Sequence, residues 1–214
     1  MKKYILTITA LCIAITVFSQ NTDESRNILS RVSTAFEASN GVKLSFMLHI
    51  IELNGDTFHA QSGEAQIRGD RFHLTMDAVD VWFDGITQWT LMHDIDEVYI
   101  NTPSAGEIAT ISPLALLGMY RSGFQISAPV SKTVNEVSAH VIEMTPASEN
   151  DHFQTISVAI DKQTNTVVQV NLTMDNGMKT RIDITDYNAN HNFPDHYFVF
   201  PADDFQNVII VDLR

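Results

Sequence analysis

Cysteine is almost absent: Cys12 is the only one in 214 residues. It lies inside the first apolar stretch, with Leu11 where a lipid-attachment site wants a small residue, and too few apolar residues precede it for that role. Past Cys12 there is no thiol, so the fold carries no disulfide and no cysteine chemistry. Basic residues are scarce too, 13 against 26 acidic, for a formal net charge of −13. Nucleic-acid binding rests on neutralising phosphates, and lasting adsorption to an anionic lipid surface needs the same cations. The charge balance opposes both and favours a chain that stays dissolved and meets its partners briefly. Long apolar runs are missing after the N-terminus, and the one from Tyr4 to Phe18 falls short of the ~20 residues that a spanning helix needs.

That run has the marks of an export signal. Lys2 and Lys3 precede it, and Val17 and Ser19 supply the small residues a signal peptidase prefers. Residues 1–19 are expected to be removed, leaving one domain over 20–214 that is soluble in the periplasm. A domain of that length can bury enough surface to fold without disulfides.

The apolar pattern begins with a helical period. Ile28, Leu29, Val32, Ala35 and Phe36 share one helix face between Thr22 and Asn40. Thr22 is the expected N-cap, followed by Asp23 and Glu24 where the helix dipole favours acids. From Val42 the period is two, with Leu44, Phe46, Leu48 and Ile50 on one face. Asn54-Gly55, Gly69-Asp70, Asp84-Gly85 and Asn176-Gly177 mark turns between strands. Pro103 breaks the series, and the Ala- and Leu-rich stretch from Ser104 to Leu117, with Pro113 after Ser112, predicts two short helices. Strands resume near His140 and continue to Val211.

The fold expected is mainly β with few helices: a single-domain, half-open antiparallel β-barrel of roughly ten or eleven strands. Several strands are apolar on both faces: Met47 and Ile51 lie opposite Phe46 and Ile50, and Trp82 lies opposite Val81 and Phe83. Either another layer covers one side, or one side lines an apolar cavity. The eight methionines suit an adaptable apolar surface.

Signals for chemistry are weak. No nucleophile elbow surrounds any serine, and no paired-histidine zinc signature occurs. His191 and His196 read as a surface loop, and Asp94, Asp96 and Glu97 as a solvated acidic turn. His73 and His93 show no carboxylate partner at catalytic spacing. No catalytic residue, metal or cofactor is expected, and the protein is read as a non-enzyme.

The stretch Val81-Trp82-Phe83-Asp84-Gly85-Ile86-Thr87-Gln88-Trp89 resembles a motif of the LolA family of periplasmic lipoprotein carriers, in which an Asp-Gly turn is followed by Thr and Trp. Ser45-Phe46 resembles the start of that family's first strand, and Gly63, Arg68 and Phe72 its next landmarks. The ending Phe198-Val199-Phe200-Pro201, with Asp203 and Asp204 just after, is also similar. The resemblance implies an N-terminal helix, a half-open barrel and a helical lid over an apolar cavity for lipoprotein acyl chains. It assigns Phe46, Leu48, Phe72, Leu74, Met76, Trp82, Trp89 and Leu91 to the cavity, and Ile111, Leu114, Leu117 and Met119 to the lid. Arg68 stands where the family's lid-latching arginine does, with Gly69 in place of the proline that follows. The implied partners are acylated lipoproteins, an inner-membrane transporter that releases them and an outer-membrane acceptor, met by a monomer. Two other functions are compatible with such a fold: a sensor that binds a membrane regulator, as in the RseB family, and a lipocalin-type carrier of free lipid.

Overall fold

The computed structural model describes residues 22–53, 55–104, 107–108, 123–147 and 153–214. The leader with Cys12, the turn residue Asn54, and Ile111, Pro113, Leu114, Leu117 and Met119 lie outside the described residues.

Helix α1 includes residues 22–38, so Thr22, expected as the cap, is already helical. Its buried stripe is Ser25, Ile28, Leu29, Val32 and Ser33, with Phe36 half-buried, while Ala35 is exposed at the stripe's edge. The two buried serines are satisfied. Ser25 donates its hydroxyl to the Ser127 carbonyl at 2.6 Å, and Ser33 donates to Glu37 at 2.9 Å. Burying Ile28, Leu29 and Val32 is worth about 1.5–3 kcal/mol each, more than the helix's own propensity supplies.

Thirteen strands form a single sheet among the described residues. They are β1 (Val42–Ile51), β2 (Thr57–Arg68), β3 (Arg71–Met76), β4 (Val79–Phe83), β5 (Gln88–Met92), β6 (Glu97–Asn101), β7 (Phe124–Ile126), β8 (Val130–Val134), β9 (Val137–Pro146), β10 (Phe153–Asp161), β11 (Val167–Met174), β12 (Lys179–Ala189) and β13 (Ile209–Asp212). The order is β13-β6-β5-β4-β3-β2-β1-β12-β11-β10-β9-β7, with β8 on β9 beside β7. Two antiparallel meanders meet where β1 pairs with β12, and the ends of the sheet do not pair with each other. The expected ten or eleven strands were too few because β7 and β8 are short and show little apolar alternation. The antiparallel rule also has an exception, since β13 joins β6 in parallel. The expected turns are in place, with Gly55, Gly69, Gly85 and Gly177 all at positive φ.

Each face of the sheet has its own cover. On the inner face α1 packs on Leu44, Phe46, Ile67, Phe72, Leu74, Val81, Ile142, Ile156, Val170 and Leu172, all in one cluster. Gly63 belongs to this face and touches the Phe46 ring: a Cβ there would lie 2.3 Å from Phe46 Cζ.

The outer face of β3–β6 is covered by the C-terminal segment. Trp82, Leu91, Val98 and Phe200 form a second core, with Trp89, Ile100, Phe205 and Val208 packed around it. His73 stacks on Trp82 with centroids 4.6 Å apart and meets the Tyr197 edge at 5.5 Å. Arg68 donates to the Phe193 carbonyl and to Asp195, its guanidinium lies 5.4 Å from the Phe198 ring centre, and Arg71 reaches the same Asp195 oxygen at 2.9 Å. Phe198 is wholly buried beneath this clamp.

Three outcomes follow. Gly63→Ala is expected to lower stability by about 1–3 kcal/mol in urea unfolding, because neither the Phe46 ring nor the strand can give way cheaply. The hydrogen bond and charge of Arg68, then the charge of Arg71, hold the Asp195 carboxyl below the usual carboxylate range. A depressed acid pKa stabilises the fold above the ordinary carboxylate value and ceases to do so as pH falls through the lowered one. Asp195→Asn is therefore expected to lower the protection of amides at residues 193–198, relative to their intrinsic exchange rates, at neutral pH and to abolish the further loss of protection in acid; unchanged protection at neutral pH would remove the clamp. Burial lowers the His73 pKa, with Asp80 opposing, so proton uptake favours the unfolded chain as pH falls below the ordinary histidine range. His73→Phe, which keeps a ring on Trp82, is expected to flatten the decline in melting temperature between neutral and mildly acid pH.

Candidate ligand-binding face

The inner face is not evenly covered. Along β1, Val42, Leu44 and Phe46 are buried, whereas Leu48 and Ile50 are only half-buried. The same end of the neighbouring strands carries half-buried Met76, Val79, Met174 and Phe124, all packed against the inner cluster. Met76 pairs with Gly63, which pairs with Phe46, and Met174 ends β11 beside the β11–β12 turn. This end continues into two adjoining hairpin tips. Leu53, Phe58 and Met178 are exposed there, and Leu53 Cδ2 lies so near Gly177 that a Cβ on that glycine would be 2.6 Å from it. One end of the inner face is thus sealed by α1, and the other is apolar and partly open.

The connection between β6 and β7 bears on this opening. Asn101 and Phe124 belong to strands near opposite ends of the sheet order, so the chain must return from one to the other. At its start Ser104 and Glu107 make the reciprocal hydrogen bonds of a capping box, at 2.7 and 3.3 Å, and the Ile108 N–H bonds the Ser104 carbonyl at 3.0 Å. Ile108 packs on the inner cluster. The four residues assigned to a lid belong to this connection but lie outside the described residues.

Of the eight cavity residues expected, Phe46, Leu48, Phe72, Leu74 and Met76 are on the inner face and in contact through one cluster. Trp82, Trp89 and Leu91 are not with them. Val81 and Phe83 point inward, so period two turns Trp82 outward, and its partner Trp89 with it. All three lie beneath the C-terminal segment, which makes them core rather than cavity lining. The two-faced apolar strands thus reflect a second covering layer here. Arg68 also faces outward. It alternates with inward Ile67, and its partners among the described residues are the Phe193 carbonyl, Asp195, which Arg71 also reaches, and the Phe198 ring. Among the described residues these contacts clamp the C-terminal segment. His93 does have a carboxylate neighbour, Asp80 at 3.7 Å, on that same outer face.

Sequence reasoning missed the second half of the face. Ile142, Met144, Ile156, Leu172, Met174 and Ile182 complete it. Their alternation was visible, but only the pairing of β1 with β12 brings them opposite Phe46 and Leu48, with Ile184 against Phe46 and Ile182 against Leu48. A different surface cleft, lined by Asp23, Glu24, Asn27, Ile28, Arg31 and His140, is polar and lies between α1 and β9. Nothing apolar would be sheltered there.

Among the described residues no helix is long and apolar enough to cross a membrane. No curated protein matches the sequence. Among solved structures, an uncharacterized conserved protein from Thermus thermophilus is similar over 88% of this chain and 99% of its own, at 10% identity and a TM-score of 0.57. A DUF1329 family protein from Desulfovibrio piger is similar over 85% and 98%, at 12% identity and a TM-score of 0.51. A LolA superfamily protein from Nitrosomonas europaea aligns over 81% and 96%, at 8% identity and a TM-score of 0.45. At such identities the first two likenesses speak for the fold alone. The family model described as outer membrane lipoprotein carrier protein LolA matches residues 15–177, and with that match over most of its length the chain belongs to the LolA family.

Proposed function

We propose that this protein is a periplasmic carrier that shelters the acyl chains of lipoproteins against its inner sheet face during passage from the inner to the outer membrane. The observation that carries the reading is the uneven cover of that face. Apolar Leu48, Ile50, Met76, Met174 and Phe124 stay half-exposed on the inner face, with exposed Leu53, Phe58 and Met178 at the adjoining hairpin tips. A monomeric protein rarely leaves a continuous apolar surface without a use for it.

Energetics explain the need. A triacylated lipoprotein exposes on the order of 40 CH₂ groups in water, at about 0.8 kcal/mol each. The total, roughly 30 kcal/mol, prohibits free transit, and burial alone removes it without a covalent step. The work is therefore binding and release rather than catalysis. The β6–β7 connection, with Ile111, Leu114, Leu117 and Met119, is the natural cover. Its apolar side would close over the empty face and yield to acyl chains, as a two-position element does. The partners are acylated lipoproteins, an inner-membrane donor and an outer-membrane acceptor. The acidic surface suits brief contacts with both and no residence on anionic lipid.

The test is capture of cargo. Full-length protein purified from the periplasm of a Gram-negative host and analysed by native mass spectrometry is expected to carry acylated lipoproteins. Leu48→Glu and Met174→Glu should each cut that occupancy on the order of 10-fold, since an unpaired charge cannot share a site with hydrocarbon. Thermal unfolding should change little, because both positions are half-exposed. Free lipid as the sole cargo, or cargo undiminished by both substitutions, would refute lipoprotein carriage on this face.

A further inference from the structure

One strip of the inner face is polar. Register carries the inward side of β4 onto β5 and β6. Phe83 faces Gln88, which faces Asn101, and Val81 faces Thr90, which faces Tyr99. Phe83 and Val81 belong to the inner apolar cluster, so Gln88, Thr90, Tyr99 and Asn101 point to the same side. The outward residues of these strands, Trp89, Leu91, Val98 and Ile100, are the apolar ones. On β5 and β6 the usual arrangement of a partly covered sheet is inverted.

Gln88 is the unusual member. It is 6% exposed, and its Nε2 donates to Thr90 Oγ1 at 3.0 Å, while its Oε1 is buried without a partner among the described residues. A buried carbonyl oxygen left without a donor is costly, and natural folds seldom tolerate one without a reason. Tyr99 spends its hydroxyl proton on Glu97, so its oxygen also faces the strip as an acceptor. Among the described residues the strip is uncharged apart from Glu97 and holds one buried acceptor, Gln88 Oε1, that lacks a donor, beside a wall that accepts hydrocarbon.

We propose that Gln88, with Thr90, Tyr99 and Asn101, forms a polar subsite for the linkage region of the bound molecule, and that it selects an uncharged hydrogen-bond donor such as an amide N–H over an ester or a phosphate. This rests on the inner face binding acyl chains. The amide N–H is the donor that Gln88 Oε1 lacks, and an anion would meet the Glu97 carboxylate.

The experiment compares three probes of equal tail length on the full chain by isothermal titration: N-dodecylacetamide, dodecyl acetate and dodecyl phosphate. The amide is expected to bind roughly 10-fold more tightly than the ester, the difference one satisfied buried acceptor makes, with the phosphate weakest. In Gln88→Met, which keeps the volume and loses the acceptor, the amide and ester should bind alike. Equal affinities in the unmodified chain, or a preference for phosphate, would overturn the subsite and leave the apolar face intact. Failure of all three probes to bind would instead count against the apolar face itself. The unmodified chain decides the question even if Gln88→Met does not fold.

Discussion

The rest of the structure depends on how an open sheet with two apolar faces keeps water off both. A closed barrel would have one interior, and a sandwich would pair its faces with another sheet. Among the described residues the inner face receives α1 and Ile108, and the outer face receives the last stretch of the chain. The outer cover is complete: Phe198 and Phe200 are buried, and Arg68 and Arg71 converge on Asp195 over them. The inner cover is incomplete, because the buried stripe of α1 spans only from Ser25 to Val32 and Ser33, with Phe36 already half-exposed. That difference separates a permanent core from a face able to take a guest.

The two halves of the inner face then divide the labour. Val42 and Phe72 are buried in the cluster that includes Ile28, Leu29 and Val32 of α1. Leu48, Met76 and Met174, at the other end, sit among hairpin tips, and methionine can repack around chains of varied shape. Gly63 lets the Phe46 ring lie flat on β2 between them. The acidic surface keeps such a molecule dissolved while it exposes grease at one end.

Much of this was legible in the sequence. The helix stripe, the switch to period two at Val42, and the turn glycines at 55, 69, 85 and 177 follow from local chemistry, and the structure has them where local chemistry puts them. Phe46, Leu48, Phe72, Leu74 and Met76 could be grouped because neighbouring hairpins fix their register. Trp82, Trp89 and Leu91 were assigned to the cavity but lie on the other face, because what covers them is a segment more than a hundred residues later in the chain. The same distance hid the partner of Arg68, since Asp195 is separated from it by 127 positions. Met174 and Ile182 were hidden by the β1–β12 pairing, and Gln88 by the expectation that a cavity wall is apolar throughout. Long-range pairing carries no local signature, and a polar side chain facing inward reads in sequence as one facing out.

The account's central claim is that hydrocarbon enters at the half-covered end of the inner face. Methionine methyl NMR with a doxyl-labelled stearate as the paramagnetic probe tests it most directly. The account expects the Met76, Met144 and Met174 methyls to broaden at low probe ratios, and the Met47 methyl, on the outer face, to stay sharp. Broadening of Met47 as strong as that of the other three, or no broadening of any of them, would contradict it.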